Sequence, residues 1–276
     1  MSSYKTAHWI VKDAISRSHI NKFYDLIGAK AGLVPSITDH FLLFNPMKRP
    51  LGTDGYYSDI SPDALVPEKF NVPYRRRLWA RGSITLRDPL HFGESYNCME
   101  RIQSVRKYRG DTFVSMLREI VNPMTQQTHL VEERTLVYTN SQPSPVNTEK
   151  KFPVNSHDNT VVLGQFTFTD LDIVRYSQLS LNPHRIHWDR PYTQQHEGYT
   201  DILAPGPLST QLLTMYAAQY THKPLSQIAY RNINYIHPGT TVDICARICH
   251  QTDTHQLYMR NHREPEHIYL VLDILA

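Results

Sequence analysis

Residues 140–160, NSQPSPVNTEKKFPVNSHDNT, interrupt the chain near its middle. The stretch is rich in Pro, Ser and Asn and has no hydrophobic period, so it reads as a linker. It divides the 276 residues into two halves of similar size, each suited to one domain. The halves also echo each other. Residues 90–102 read LHFGESYNCMERI and residues 236–248 read IHPGTTVDICARI. A Leu or Ile, a His, a Gly two residues on and an alternating run ending in Arg-Ile fall in register, which favours a duplicated fold. The domains implied are 1–140 and 161–276, with 141–160 between them.

Within each half the period is mostly two. Val242, Ile244, Ala246 and Ile248 alternate with Asp243, Cys245, Arg247 and Cys249. Segments 83–87, 94–105, 112–121, 129–138, 255–260 and 267–275 also read as extended, being rich in β-branched and aromatic residues. Two helices interrupt this pattern in the second half. Thr169 or Asp170 can cap one over 171–180, with Leu171, Val174 and Leu179 on its apolar face. The other opens at Gly206-Pro207, with Leu208, Leu212, Met215 and Tyr216 on one face. Antiparallel strands wrapped on one apolar helix per half make an α+β fold.

Several function classes are disfavoured. A formal net charge of +3 is far below that of a dedicated nucleic-acid binder. No run of roughly eighteen apolar residues offers a transmembrane helix. Cys98, Cys245 and Cys249 are odd in number and form no Cys-x-x-Cys pair, so a disulfide framework is not expected. The first 22 residues carry Lys5, Lys12, Arg17 and Lys22 against Asp13 alone. Their serine content and low acidity resemble a mitochondrial presequence; an ordinary first element of the fold is the preferred reading.

The chemistry concentrates at 176–189, YSQLSLNPHRIHWD, and at 203–213, LAPGPLSTQLL. An Asn-Pro turn follows a helix, and a β-type stretch then holds His184, Ile186 and His187. His187 is a proton-transfer group, and Asn182 can orient it or a water. The helix opening at Gly206 offers free backbone N–H groups where an oxygen gains negative charge. His184 and His187 are weak metal-ligand candidates, because positions three apart on a strand point to opposite faces and no further ligand completes a set. Neither a metal nor a cofactor is expected. The basic runs Arg75-Arg76-Arg77 and Arg106-Lys107-Tyr108-Arg109 read first as solvated faces, and second as docking points for an acidic carrier protein or a CoA phosphate.

These residues resemble the hydratase 2 pattern of the MaoC-like family. The likeness is stronger to its tandem hot-dog branch of 3-hydroxyacyl-thioester dehydratases and mesaconyl-CoA hydratases. It is carried by 176–189, by Glu197-Gly198-Tyr199, by Gly206-Pro207-Leu208, and in the first half by residues 75–96 and 131–138. The resemblance implies a double hot-dog with one active site. His187 stands at the catalytic histidine, Asn182 where the wider family has aspartate, and Gly206 where a backbone N–H completes an oxyanion hole. It further implies a one-base removal of water from a 3-hydroxyacyl thioester on acyl carrier protein or CoA, within mitochondrial fatty acid synthesis. A homodimer is compatible with it. Pro183 and Pro205 depart from the pattern. A mesaconyl-CoA-type hydratase and an acyl-thioester binding protein that lost turnover are the alternatives.

Overall fold

The computed structural model describes residues 7–70, 73–143, 160–249 and 254–275, so most of the 141–160 linker lies outside the described residues. Ten antiparallel strands form one continuous sheet. In the first half these are β1 (His8–Ala14), β2 (Arg76–Leu86), β3 (Ser95–Tyr108), β4 (Asp111–Val121) and β5 (Thr128–Thr139). In the second they are β6 (Val161–Thr167), β7 (Gln227–Asn232), β8 (Thr241–Cys249), β9 (Thr254–Asn261) and β10 (Ile268–Ile274). The helices are α1 (Arg17–Leu26), α2 (Pro62–Leu65), α3 (Asp170–Leu179), α4 (Arg190–Tyr192) and α5 (Gly206–Thr221).

The order across the sheet is β1-β3-β4-β5-β2-β7-β10-β9-β8-β6. Each half therefore repeats one path, and the two meet where β2 pairs with β7. The echo between 90–102 and 236–248 falls on equivalent places, the entries to β3 and β8. Gly93 and Gly239 both have positive φ, 87° and 78°. Their N–H groups donate to Ile15 and Phe168, the residues that follow β1 and β6, at 2.9 and 2.7 Å. The same turn thus returns the chain to the same neighbour in both halves.

At the seam, Arg81 through Thr85 pair with Arg231 through Gln227. A Cβ at Gly82 would lie 2.4 Å from the Tyr230 hydroxyl and 2.5 Å from the Glu133 carbonyl. Only glycine fits there without moving backbone. The Tyr230 hydroxyl in turn accepts from Trp79 Nε1 at 2.8 Å, tying the halves together.

The two halves are filled differently. In the second, α5 lies in the sheet's embrace and is buried on nearly every side from Pro207 to Thr214. Its apolar character reaches beyond the single face expected, and Met215 and Tyr216 are only half-buried. Among the described residues of the first half no long helix plays this part. The Pro- and Gly-punctuated stretch 27–75 cannot sustain one. A 3₁₀ turn at Asp39–Leu42 and the short α2 fill the space, with Phe41, Leu42, Leu43 and Phe44 buried. A buried ionic chain completes that interior: Arg118 pairs with Glu100 and Glu132 at 2.8 and 3.0 Å, and Arg134 with Glu132 at 2.7 Å.

Some local expectations shift. Residues 8–26, weighed above as part of a presequence, build β1 and α1, and α1 packs on α3. β6 and β7 lay outside the expected strands. The α3 cap is a capping box between Thr169 and Asp172, but its buried face is Ile173, Tyr176 and Ser177, while Leu171 is exposed. Cys98 and Cys245 are free and buried; the side chain of Cys249 lies outside the described residues. No helix of the described residues is long and apolar enough to cross a membrane.

Candidate active site

Helix α3 ends in a turn that sets Asn182. Leu181 takes φ +48°, in the left-handed region that costs a branched side chain strain. The Leu181 N–H donates to the Gln178 carbonyl and the Asn182 N–H to the Ser177 carbonyl, at 3.2 and 2.8 Å. This is the Schellman pattern of helix termination. The side-chain oxygen of Asn182 then accepts from the backbone N–H of His184 at 3.1 Å. That leaves the Asn182 amide –NH₂ as its free donor.

The β-type stretch expected at 184–187 is instead a 3₁₀ turn, Arg185–His187. The Asn-Pro corner and the Trp188-to-Arg185 and His187-to-His184 backbone bonds favour the tight turn over extended chain. The consequence is direct: residues three apart in a 3₁₀ turn share a face. The His184 and His187 rings therefore meet edge to face, with centroids 5.4 Å apart, rather than pointing to opposite sides. Among the described residues no group of three or more His, Cys, Asp or Glu is arranged to hold a metal ion.

His187 is 6% exposed. Its Nδ1 lies 2.8 Å from the Leu203 carbonyl oxygen, which can only accept, so Nδ1 carries the proton and Nε2 the lone pair. The Leu203 N–H reaches back to the Ile186 carbonyl at 2.9 Å, lashing the histidine loop to the segment before α5. Burial, then the neighbouring His184, push the His187 pKa down from 6.5 to about 3. The ring is neutral at physiological pH, the form a base requires.

Gly206 is the first residue of α5, where no intrahelical acceptor exists for its N–H. A Cβ at this position would sit 3.0 Å from Asn232 Nδ2, which itself donates to the Trp79 carbonyl at 2.9 Å. Pro205 leaves that amide intact; its own carbonyl accepts from Leu208 at 3.0 Å.

Asn182, His187 and Gly206 all line one cavity of about 490 Å³. It crosses the β2–β7 seam: the first half supplies Leu78, Trp79 and Phe113 as apolar wall, and the second supplies Asn182, His187 and Gly206. Three further residues at this cavity escape a reading of the sequence. Arg76 and Arg77, read above as a solvated run, are 2% and 8% exposed and form part of its wall. Arg76 donates to the carbonyls of Glu197 and Ser141, and Arg77 pairs with Asp54 at 3.2 Å. Asn232 closes the floor under Gly206. A run of three arginines at a strand start carries no signal of which members turn inward; their partners, Glu197 for Arg76 and Asp54 for Arg77, are distant in the chain. By contrast Arg106, Lys107 and Arg109 are exposed at the β3–β4 tip, as expected.

The model of the family "Hydroxyacyl-thioester dehydratase type 2" matches residues 38–238. The chain is 36% identical to the mitochondrial hydroxyacyl-thioester dehydratase type 2 of Saccharomyces cerevisiae, over 99% of this chain and 100% of that protein. It is 27% identical to the corresponding mitochondrial protein of Schizosaccharomyces pombe, over 87% and 90%. It is 30% identical to mesaconyl-C(4)-CoA hydratase of Chloroflexus aurantiacus, over 58% of each. Among solved structures it resembles a MaoC-like dehydratase from Phytophthora capsici, with TM-score 0.70, 12% identity and coverage of 99% and 97%. It also resembles a Mycobacterium tuberculosis protein described as a double hotdog fold, with TM-score 0.60, 11% identity and coverage of 97% and 95%. These last two show the fold, the tandem arrangement expected from the sequence. On the family match across residues 38–238 and the full-length likeness to the budding-yeast protein, the chain belongs to the hydroxyacyl-thioester dehydratase type 2 family.

Proposed function

We propose that this protein removes water from (3R)-3-hydroxyacyl thioesters to give trans-2-enoyl thioesters, in type II fatty acid synthesis of the mitochondrial matrix. The observation that carries the reading is one cavity lined by a neutral buried histidine, a fixed carboxamide and a helix N-terminus. In this account His187 Nε2 takes the proton from C2. The Gly206 N–H donates to the thioester oxygen as negative charge develops there, in a site with little water to compete. Asn182 cannot ionise, so its –NH₂ holds the 3-hydroxyl rather than exchanging a proton with it. The apolar wall from the first half receives the acyl chain. No metal or cofactor enters the reaction. The carrier is acyl carrier protein or CoA, with the exposed basic tip of β3–β4 as a point for an acidic partner. The mitochondrial assignment is supported by both yeast relatives, which are mitochondrial proteins. The domain limits 1–140 and 161–276 around the linker complete the reading.

A mesaconyl-CoA-type hydratase is the second reading, favoured by the partial likeness to the Chloroflexus enzyme. A diacid needs a free cation in the pocket. Arg76 and Arg77 are there, but Asp54 offsets one and carbonyl oxygens occupy the other. Hydration of crotonyl-CoA and mesaconyl-CoA by the purified protein separates the two. Turnover of crotonyl-CoA with little on mesaconyl-CoA supports the dehydratase. The reverse preference selects the diacid enzyme, and binding of both without turnover selects a binding protein.

A further inference from the structure

Six buried side-chain nitrogen or oxygen atoms of the described residues have no hydrogen-bond partner, and four of them lie together behind the histidine loop. They are Arg77 Nε, His184 Nε2 and both carboxylate oxygens of Glu197. Buried polar groups are almost always satisfied, so such a concentration points to groups held ready for use. His184 Nε2 stands 3.7 Å from Glu197 Oε1 and 3.8 Å from Asp54 Oδ2. These gaps are too long for direct bonds and suited to contacts that tighten, or that one water bridges, when the site is occupied. Glu197 is fully buried and His184 is 5% exposed. His184 nevertheless is one of the residues that line the cavity, beside Asn182 and His187.

The first half of the chain holds this arrangement in place. The Asp54 carbonyl accepts from the Arg185 N–H at 2.8 Å. A Cβ at Gly55 (φ +78°) would lie 2.5 Å from the Pro183 carbonyl, so the loop presses directly on the histidine turn. Tyr56 and Arg77 complete the enclosure from that side.

We propose that His184 is a second catalytic residue, the acid that protonates the departing 3-hydroxyl, with Glu197 and Asp54 as its carboxylate partners. Two adjacent imidazoles stand in different surroundings: carboxylate oxygens lie 3.7 and 3.8 Å from His184 Nε2, while His187 faces a carbonyl and is driven neutral. The electron balance is simple. The C2–H bond breaks, its proton going to His187 Nε2 and its electron pair to the new C2=C3 bond. The C3–O bond breaks with its pair on oxygen, which takes a proton from His184 and leaves as water. Return of the proton from His187 to His184 restores the enzyme. This route replaces the one-base path, in which His187 alone would serve both ends. It also supplies an ionisable group where Asn182 provides none.

The inference rests on the dehydratase reading, and leaving groups test it. Wild type, His184→Asn and Glu197→Gln would be assayed on (3R)-3-hydroxybutyryl-CoA and (3R)-3-chlorobutyryl-CoA, with His187→Ala beside them. Chloride needs no acid to depart. The expected result for His184→Asn is a fall in kcat of roughly 100-fold or more for water, without a matching fall for chloride. Glu197→Gln shows the same selective loss to a smaller degree and decides the matter if His184→Asn does not fold. His187→Ala loses both reactions. Equal losses on the two substrates, or water elimination retained in both acid-side variants, would overturn the proposal. A wild type inert on both substrates overturns the dehydratase reading itself, and this inference with it.

Discussion

A single backbone N–H carries much of the proposed chemistry, and a substitution can remove it. Gly206 occupies the first turn of α5, where proline's fixed φ is tolerated and its missing N–H breaks no helix bond. Gly206→Pro also sets a Cβ 3.0 Å from Asn232 Nδ2, so that side chain must give slightly. With the fold checked by circular dichroism, the variant should lose at least about 2.7–4 kcal/mol of transition-state stabilisation, read as a drop in kcat for crotonyl-CoA hydration. His187 makes a second prediction, in stability. Its folded pKa is depressed to about 3, so the unfolded chain binds its proton first as pH falls. Its stabilising contribution is full above about pH 6.5, its ordinary value, and is lost progressively as pH falls toward the folded value. His187→Gln should flatten the fall in Tm across that window; an unchanged profile would remove the account of its burial. At this scale the sequence was informative where a motif fixes spacing. Asn182, His187 and Gly206 do meet in one cavity. His184 was misplaced because a strand was assumed where Leu181 and Pro183 enforce a tight turn.

Among the elements, the β2–β7 pairing is the one on which the site depends. It brings Leu78 and Trp79 opposite the segment that follows β7, and it has almost no room to spare. Gly82→Ala places a methyl group within 2.5 Å of a backbone carbonyl and of a buried tyrosine hydroxyl. The strand must shift, at an expected cost of about 1–3 kcal/mol in urea unfolding, with activity falling as the cavity wall moves. A variant as stable and as active as wild type would contradict the seam's role. Most strands were legible from their period of two, with ends within a few residues. β1 was obscured because a short basic segment can read as an address as well as an ordinary first element, and neither reading marks a strand. β7 was missed because its alternation is short: of the six residues QIAYRN only Ile228 and Tyr230 turn into the core. In the first half the helix expected at the centre gives way to turns, because proline and glycine punctuate its stretch and a buried ionic chain fills the space.

At the level of the whole molecule, the two halves are one sheet built by one path taken twice, and the proposed mechanism divides function between them. In it the second half holds the proton-transfer groups. The first supplies the apolar wall and, through Asp54 and Gly55, a buttress beneath the histidine turn. Residues 161–276 expressed alone should therefore show no hydratase activity, and adding residues 1–140 in trans should restore some of it. Activity of the second half alone at the full-length rate would show the first to be dispensable. The duplication was legible in a thirteen-residue echo and a linker. The buttress from Asp54 and Gly55 was not, because it depends on contacts between residues more than a hundred positions apart. The central claim is that His187 performs the reaction in this shared cavity, and it is tested most directly by following loss of enoyl-thioester absorbance as crotonyl-CoA is hydrated. The account predicts turnover by the wild type and loss of at least about 100-fold in His187→Ala with folding intact. A His187→Ala protein that hydrates crotonyl-CoA at the wild-type rate would contradict it.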